Sequence, residues 1–222
     1  VSQIFTINSE SSPAQIDEAV SAVVNAVTSG GLAVIPTDTS YAVICDAFNP
    51  DAVALLRQAK HQSEQTPIPI GAGNRATIDG VATFSELAND LVCAIWPGAL
   101  TVITKQQPSV NLAASSLEYG LSVRIPNHTL AQNILNAIGP TAMTGAQLAG
   151  QEPVTTIEAA KRALGDLVTT YVDNGTLPGT TSSVVDATGA NLRLVRAGNL
   201  SLTMLRTVVP MIIDATASSQ LG

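Results

Sequence analysis

Between Ile16 and Val27 apolar residues return every three or four positions, at Ile16, Ala19, Val20, Val23 and Val27. That spacing predicts one apolar helix face. Ser12 stands where an N-cap belongs, Pro13 suits the first helical position, Gln15 completes a capping box, and Gly30 and Gly31 end the run. The unbroken apolar run Leu32–Pro36 then reads as a short buried strand. Asn49 followed by Pro50 opens a second helix that runs to Lys60. Beyond it the pattern predicts a strand at 67–71, a helix at 84–96, and strands at 100–105 and 121–125. A helix at 128–139, a strand at 141–144, a helix at 156–165 and a strand at 168–172 follow. Two closing strands, 182–187 and 192–198, are spaced as a hairpin, and 201–209 reads as a last helix before Pro210.

Strands alternate with helices through most of the chain, which predicts an α/β fold. The closing hairpin makes the expected sheet a mixed one. No Pro/Gly/Ser-rich linker divides the 222 residues, so one domain over 1–222 is expected, with 199–222 as a helical tail. Aromatics make up only 3% of the chain. The core must therefore be built from Val, Ile, Leu and Ala, as in a sheet covered by helices. The net charge of −7 argues against a broad basic surface for nucleic acid, though not against a local basic cleft. No apolar run approaches the ~18 residues of a membrane span. The start of the chain lacks the basic end and apolar stretch of a signal peptide, so a cytoplasmic protein away from membranes is expected. Cys45 and Cys93 are expected as buried free thiols.

Charged residues are only 12% of the chain, about half the usual share, so polar clusters stand out. Thr37, Asp38, Thr39, Ser40 and Tyr41 follow directly on the strand 32–36. Ligands of open α/β sheets bind beyond the carboxyl ends of strands. The stretch also reads as a solvated turn that bonds its own backbone. Arg124 is the most telling of the ten cations, because alternation in Leu121-Ser122-Val123-Arg124-Ile125 puts it on the face of Ser122. An arginine inside an apolar strand requires either a buried acid or an anionic ligand. Lys60 and Arg196 are the other cations set in unusual surroundings. Thr180, Thr181, Ser182 and Ser183, after Gly175 and Gly179, bring hydroxyls and N–H groups to another strand end, where phosphate could sit. His61 and His128 have no metal-ligand spacing with the cysteines, and neither the P-loop nor G-x-G-x-x-G is present.

Five segments in this order, IPTDTSYAVICDA, WPGALTVI, LSVRIPNH, SSVVDATG and LRLVRAGNL, resemble the YrdC-like threonylcarbamoyl-AMP synthase family. The resemblance runs from about Ala14 to Gly198. It implies a twisted mixed open sheet flanked by helices around a large central cleft, without the second domain of longer family members. It also implies an enzyme that joins threonine, bicarbonate and ATP into threonylcarbamoyl-adenylate and pyrophosphate, for tRNA modification. Thr37, Lys60 and Ser182 are then expected to be catalytic. Thr39, Tyr41, Arg124, Ser183, Arg196, Gln62 and Gln147 are expected to bind substrate. ATP is expected as a substrate, with Mg²⁺, and tRNA or a downstream tRNA-modifying complex as partner. No protein metal ligand is expected.

Several positions depart from the family pattern. Lys60-His61-Gln62 stands where Lys-x-Arg is usual, Thr66 where Asn or Lys commonly precedes proline, and Gly145-Ala146-Gln147-Leu148-Ala149-Gly150 where Ser-Ala-Asn-x-Ser-Gly is usual. One cation, two serines and one asparagine are thereby replaced. Losing a charge-assisted contact to a buried anion costs about 2–5 kcal/mol. The departures keep two other readings open: a nucleotide- or RNA-binding relative with lost or altered catalysis, and a fold relative with unrelated sugar-phosphate chemistry.

Overall fold

The computed structural model describes residues 2–114 and 120–216. Its elements are β1 (Gln3–Thr6), α1 (Pro13–Thr28), β2 (Leu32–Pro36), β3 (Tyr41–Asp46), α2 (Pro50–Lys60), β4 (Ile70–Gly71), α3 (Arg75–Asp79), β5 (Ala82–Thr83) and α4 (Glu86–Ile95). There follow β6 (Leu100–Gln106), β7 (Leu121–Arg124), α5 (Thr129–Ile138), β8 (Thr141–Gly145), α6 (Ile157–Leu164), β9 (Val168–Asp173), β10 (Ser183–Asp186), β11 (Arg193–Arg196), α7 (Leu202–Val208) and β12 (Ile213–Asp214).

Caps set the helix starts. Ser12 accepts from the Gln15 N–H while the Gln15 side chain reaches back to the Ser12 backbone, the capping box expected at α1. Asn49 accepts from the N–H groups of Asp51 and Ala52 at α2. The strands join in the order β1-β9-β2-β3-β8-β4-β7-β6-β10-β11-β12, with β5 beside β6. Parallel and antiparallel pairs mix, and β10 and β11 form the expected antiparallel hairpin. The fold is the twisted open α/β sheet, flanked by helices, that the sequence implied.

Both faces of the sheet are covered, which explains the unbroken apolar run of β2. Leu32 and Val34 enter a large cluster with residues of α2, α4, α6 and α7, while Ala33 and Ile35 enter a second cluster with α1 and α5. Helices α1 and α5 pack on each other and cover the second face over β9, β2 and β3. Further along, Leu100, Val102, Leu121, Val123 and Val185 still point into the large cluster. Their alternates Thr101, Ser122, Arg124, Ser182 and Val184 face the other way and line a cavity.

Besides the short α3 and β5, which the pattern did not predict, four findings differ from the sequence reading. The edge strand β1 was not anticipated, because Gln3–Thr6 carries no clean alternation and takes its place by pairing with β9. The apolar run after Ser40 is strand β3, paired with β2 and β8. The segment after β11 is not helical throughout: α7 is followed by β12, which pairs with β11, and 217–222 lies outside the described residues. Both cysteines are free, but only Cys45 is buried; Cys93 is exposed and accepts from Arg75. No helix among the described residues is long and apolar enough to cross a membrane.

Candidate active site

The turn after β2 begins the site. The Thr37 hydroxyl donates to the Ser40 carbonyl at 2.6 Å and accepts from the N–H groups of Thr39 and Ser40. Its single proton is thus committed to the turn. The Thr39 hydroxyl, 3.1 Å away, donates to Thr37 and accepts from Arg124 at 3.1 Å. The Thr39 carbonyl accepts from the N–H groups of Gly179 and Thr180. That pairing joins the two hydroxyl-rich loops, which lie about 140 residues apart in sequence. Gly179 makes it with φ of +74°, a backbone state that favours glycine.

Arg124 reaches this turn from β7. It is 8% exposed, bonds Asp38 at 2.7 Å, and also donates to the Gly98 carbonyl and Thr39. Burial pulls its pKa down and the Asp38 carboxylate opposes that shift. Asp38 also accepts the Asn127 N–H at 3.1 Å. So the arginine has a half-buried acid as its partner and also lines a ligand-sized cavity.

Arg196, at the end of β11, reaches into the same cavity from its mouth. It donates to the carbonyl and hydroxyl of Ser182, and no acidic side chain pairs with it among the described residues. Burial lowers its pKa, and the nearby Arg124 charge lowers it further. Ser182 also bonds Thr101 at 2.8 Å. Thr101 was missed by the sequence reading, although its place between Leu100 and Val102 marks it as facing away from the core.

The cavity measures about 350 Å³ and is open on one side. Of the expected site residues, Thr37, Thr39, Arg124, Ser182, Arg196 and Gln147 line it. Thr180 also lines it, with a buried hydroxyl oxygen that has no partner.

Four expected residues do not line it. Tyr41 turns its hydroxyl to the far side of β3, where its single proton is shared between the Gly175 carbonyl at 2.7 Å and Asp173 at 3.1 Å and its oxygen accepts the Asn174 N–H. That network fixes the loop after β9, and burial raises the Tyr41 pKa. Ser183 alternates away from Ser182; its hydroxyl donates to the Leu200 carbonyl and accepts from the N–H groups of Gly198 and Leu200. Lys60 is 4% exposed and lies under the floor, its Nζ donating to the carbonyls of Gly145 and Gln147. Burial pushes its pKa down to about 8. Gln62 follows the C-cap of α2, with its N–H on the Arg57 carbonyl and its side-chain oxygen buried without a partner.

The family model Sua5/YciO/YrdC, described as telomere recombination, matches residues 25–198. The chain belongs to this family. Family relatives include a protein named "Putative threonylcarbamoyl-AMP synthase" from Mycobacterium leprae, 34% identical over 90% of this chain and 92% of that protein. The threonylcarbamoyl-AMP synthase of Vibrio campbellii is 31% identical over 65% of this chain and 80% of its own length. In fold, the chain superposes on the Sua5 of P. abyssi complexed with L-threonine with a TM-score of 0.87 at 23% identity. That match covers 96% of this chain but 62% of the length of that Sua5. E. coli YciO gives 0.83 at 24% identity, covering 92% of this chain and all of that one.

Proposed function

We propose that this protein is a threonylcarbamoyl-AMP synthase, forming threonylcarbamoyl-adenylate and pyrophosphate from threonine, bicarbonate and ATP. The observation that carries the reading is the convergence of Arg124, Arg196, Thr39 and Ser182, from four separate segments, on one cavity. The names of relatives more than 30% identical support it.

Burial divides the cavity. Thr37, Thr39, Ser40, Arg124 and Ser182 are buried at its inner end, while Pro67, Gln147, Pro153, Thr180 and Thr181 are half-buried towards the mouth. We place the smaller substrate, threonine, inside, with its carboxylate towards Arg124. ATP takes the mouth, with its phosphates towards Arg196, the cation without an acid. The threonine nitrogen adds to the carbon of bicarbonate, a C–O bond breaks, and water leaves to give the carbamate. A carbamate oxygen then attacks the α-phosphorus, and the bond to the β-phosphate oxygen breaks as pyrophosphate departs. The chain contributes positioning and charge neutralisation, the main terms in such a transfer.

Among the described residues no cluster of three or more His, Cys, Asp or Glu could hold a metal, and the acid beside the cavity, Asp38, is committed to Arg124 and Asn127. A magnesium ion enters this reading only on the phosphates of the substrate. We place tRNA downstream, as acceptor of the adenylate.

The test is pyrophosphate release by the pure protein with ATP, Mg²⁺, bicarbonate and threonine. The expected result is threonine-dependent release, with Arg196→Ala cutting kcat/KM by about thirtyfold, the equivalent of about 2 kcal/mol. ATP binding without release, persisting in Gln62→Arg, overturns the reading in favour of a nucleotide-binding relative.

A further inference from the structure

The family's Ser-x-Asn is Gly145-x-Gln147 in this chain, and the two replacements meet in space. A β-carbon built on Gly145 would lie 2.8 Å from Nε2 and 2.9 Å from Cδ of Gln147, and closer still to Oε1. Real β-carbons essentially never approach that closely. The Gln147 carboxamide therefore occupies the space that any side chain at 145 would need. Gly145 is not in the left-handed region, so its backbone does not demand glycine; the space above it does.

The carboxamide lines the cavity, and its Oε1 is buried with no hydrogen-bond partner. An unpartnered buried acceptor is unfavourable until something donates to it. The backbone beneath is held still. Lys60 grips the carbonyls of both Gly145 and Gln147, and its own carbonyl accepts the Ala149 N–H.

We propose that Gly145 and Gln147 act as one substrate-selecting unit: Gly145 is a positioning residue whose missing side chain seats the Gln147 carboxamide against the nucleotide. This rests on the synthase reading, which puts ATP at the mouth of the cavity. A glutamine is one methylene longer than an asparagine. Its carboxamide lies folded back over residue 145, in the space that a serine side chain there would take. The two replacements compensate each other, and reverting one without the other breaks the seat.

A mutant cycle tests this, reading kcat and both KM values from pyrophosphate release and ATP Kd by calorimetry. Gly145→Ser and Gln147→Asn each raise the ATP KM and Kd by about five- to tenfold, the loss of one or two hydrogen bonds, with threonine KM within twofold. The double variant returns ATP KM to within about threefold of wild type. The unfolding midpoint of Gly145→Ser stays near wild type, because the displaced atoms are the far end of a flexible side chain. Additive losses in the double variant overturn the proposal. So does a Gly145→Ser protein that melts early but keeps the wild-type ATP KM, the mark of a purely structural glycine. Wild-type protein that binds ATP without threonine-dependent release overturns the synthase reading alone, and the cycle is then decided on Kd.

Discussion

Between pH 7 and pH 9.5 the loss of a proton from buried Lys60 should make the protein more stable as the pH rises, and Lys60→Met should remove that gain. Burial lowers the folded pKa of Lys60 from 10.5 to about 8, with no acidic partner to oppose it. Between those values the unfolded chain still holds a proton that the folded chain has released. Stability therefore rises with pH in that window, and the contribution is lost as pH falls through the folded value. Integrated from pH 7 to 9.5, the gain is at most about 2 kcal/mol, because the carbonyls of Gly145 and Gln147 favour the charged form. The buried Cys45 thiol works in the opposite direction, its pKa pushed up to about 12 from 9.0, and so does Tyr171, pushed up to about 12 from 10.0. Both are present in the variant, so the difference between wild type and Lys60→Met isolates the lysine. Urea denaturation followed by the fluorescence of the single tryptophan, Trp96, at pH 7, 8.5 and 9.5 reads it. The absolute stability of the variant is not the test, since two carbonyls lose their donor. The slope is: parallel pH curves for the two proteins refute a desolvated lysine beneath the cavity floor.

Asp38→Asn leaves the buried Arg124 without its counter-charge and should lower stability by about 3 kcal/mol, read as a fall in the urea midpoint, with Arg124→Leu in the same chain recovering part of it. Ser183→Ala orphans the N–H groups of Gly198 and Leu200, so it should cost about 2 kcal/mol in stability while kcat for threonine-dependent pyrophosphate release stays within twofold. Tyr41→Phe should behave the same way, costing about 1–2 kcal/mol in the urea midpoint through the lost Asn174 and Gly175 bonds, with the threonine KM unchanged.

Helices with both a cap and a periodic apolar face were legible to within a residue or two; α1 and α2 begin where Ser12 and Asn49 say they should. Their caps are local chemistry and need no knowledge of the rest of the chain. β1 was not legible. It is an edge strand whose reason for being extended lies in β9, more than 160 residues away. The same division runs through the site. Arg124 was legible because alternation alone fixes the face of a strand residue, and Thr101 was legible on the same rule but went unread. Tyr41 and Ser183 were misplaced because they sit at strand starts, one position from residues that do line the cavity, where a single step reverses the face.

Residue type alone also misjudges which hydroxyls and cations are free to meet a ligand. Backbone groups must be satisfied first. Thr37 gives its only proton to Ser40, Ser183 is taken by Leu200 and Gly198, and Lys60 by two carbonyls of the 145–149 segment. What remains at the cavity is Arg196 without an acid, the hydroxyls of Ser40, Ser122, Thr144 and Thr181, and the buried, unpartnered oxygens of Thr180 and Gln147. The polar residues that the fold leaves unfinished, rather than those that look most reactive in the sequence, define what the cavity can bind. Of the positions that depart from the family pattern, Gln62 and Ala149 fall outside the cavity lining, while Gly145 and Gln147 fall within it and lie against each other.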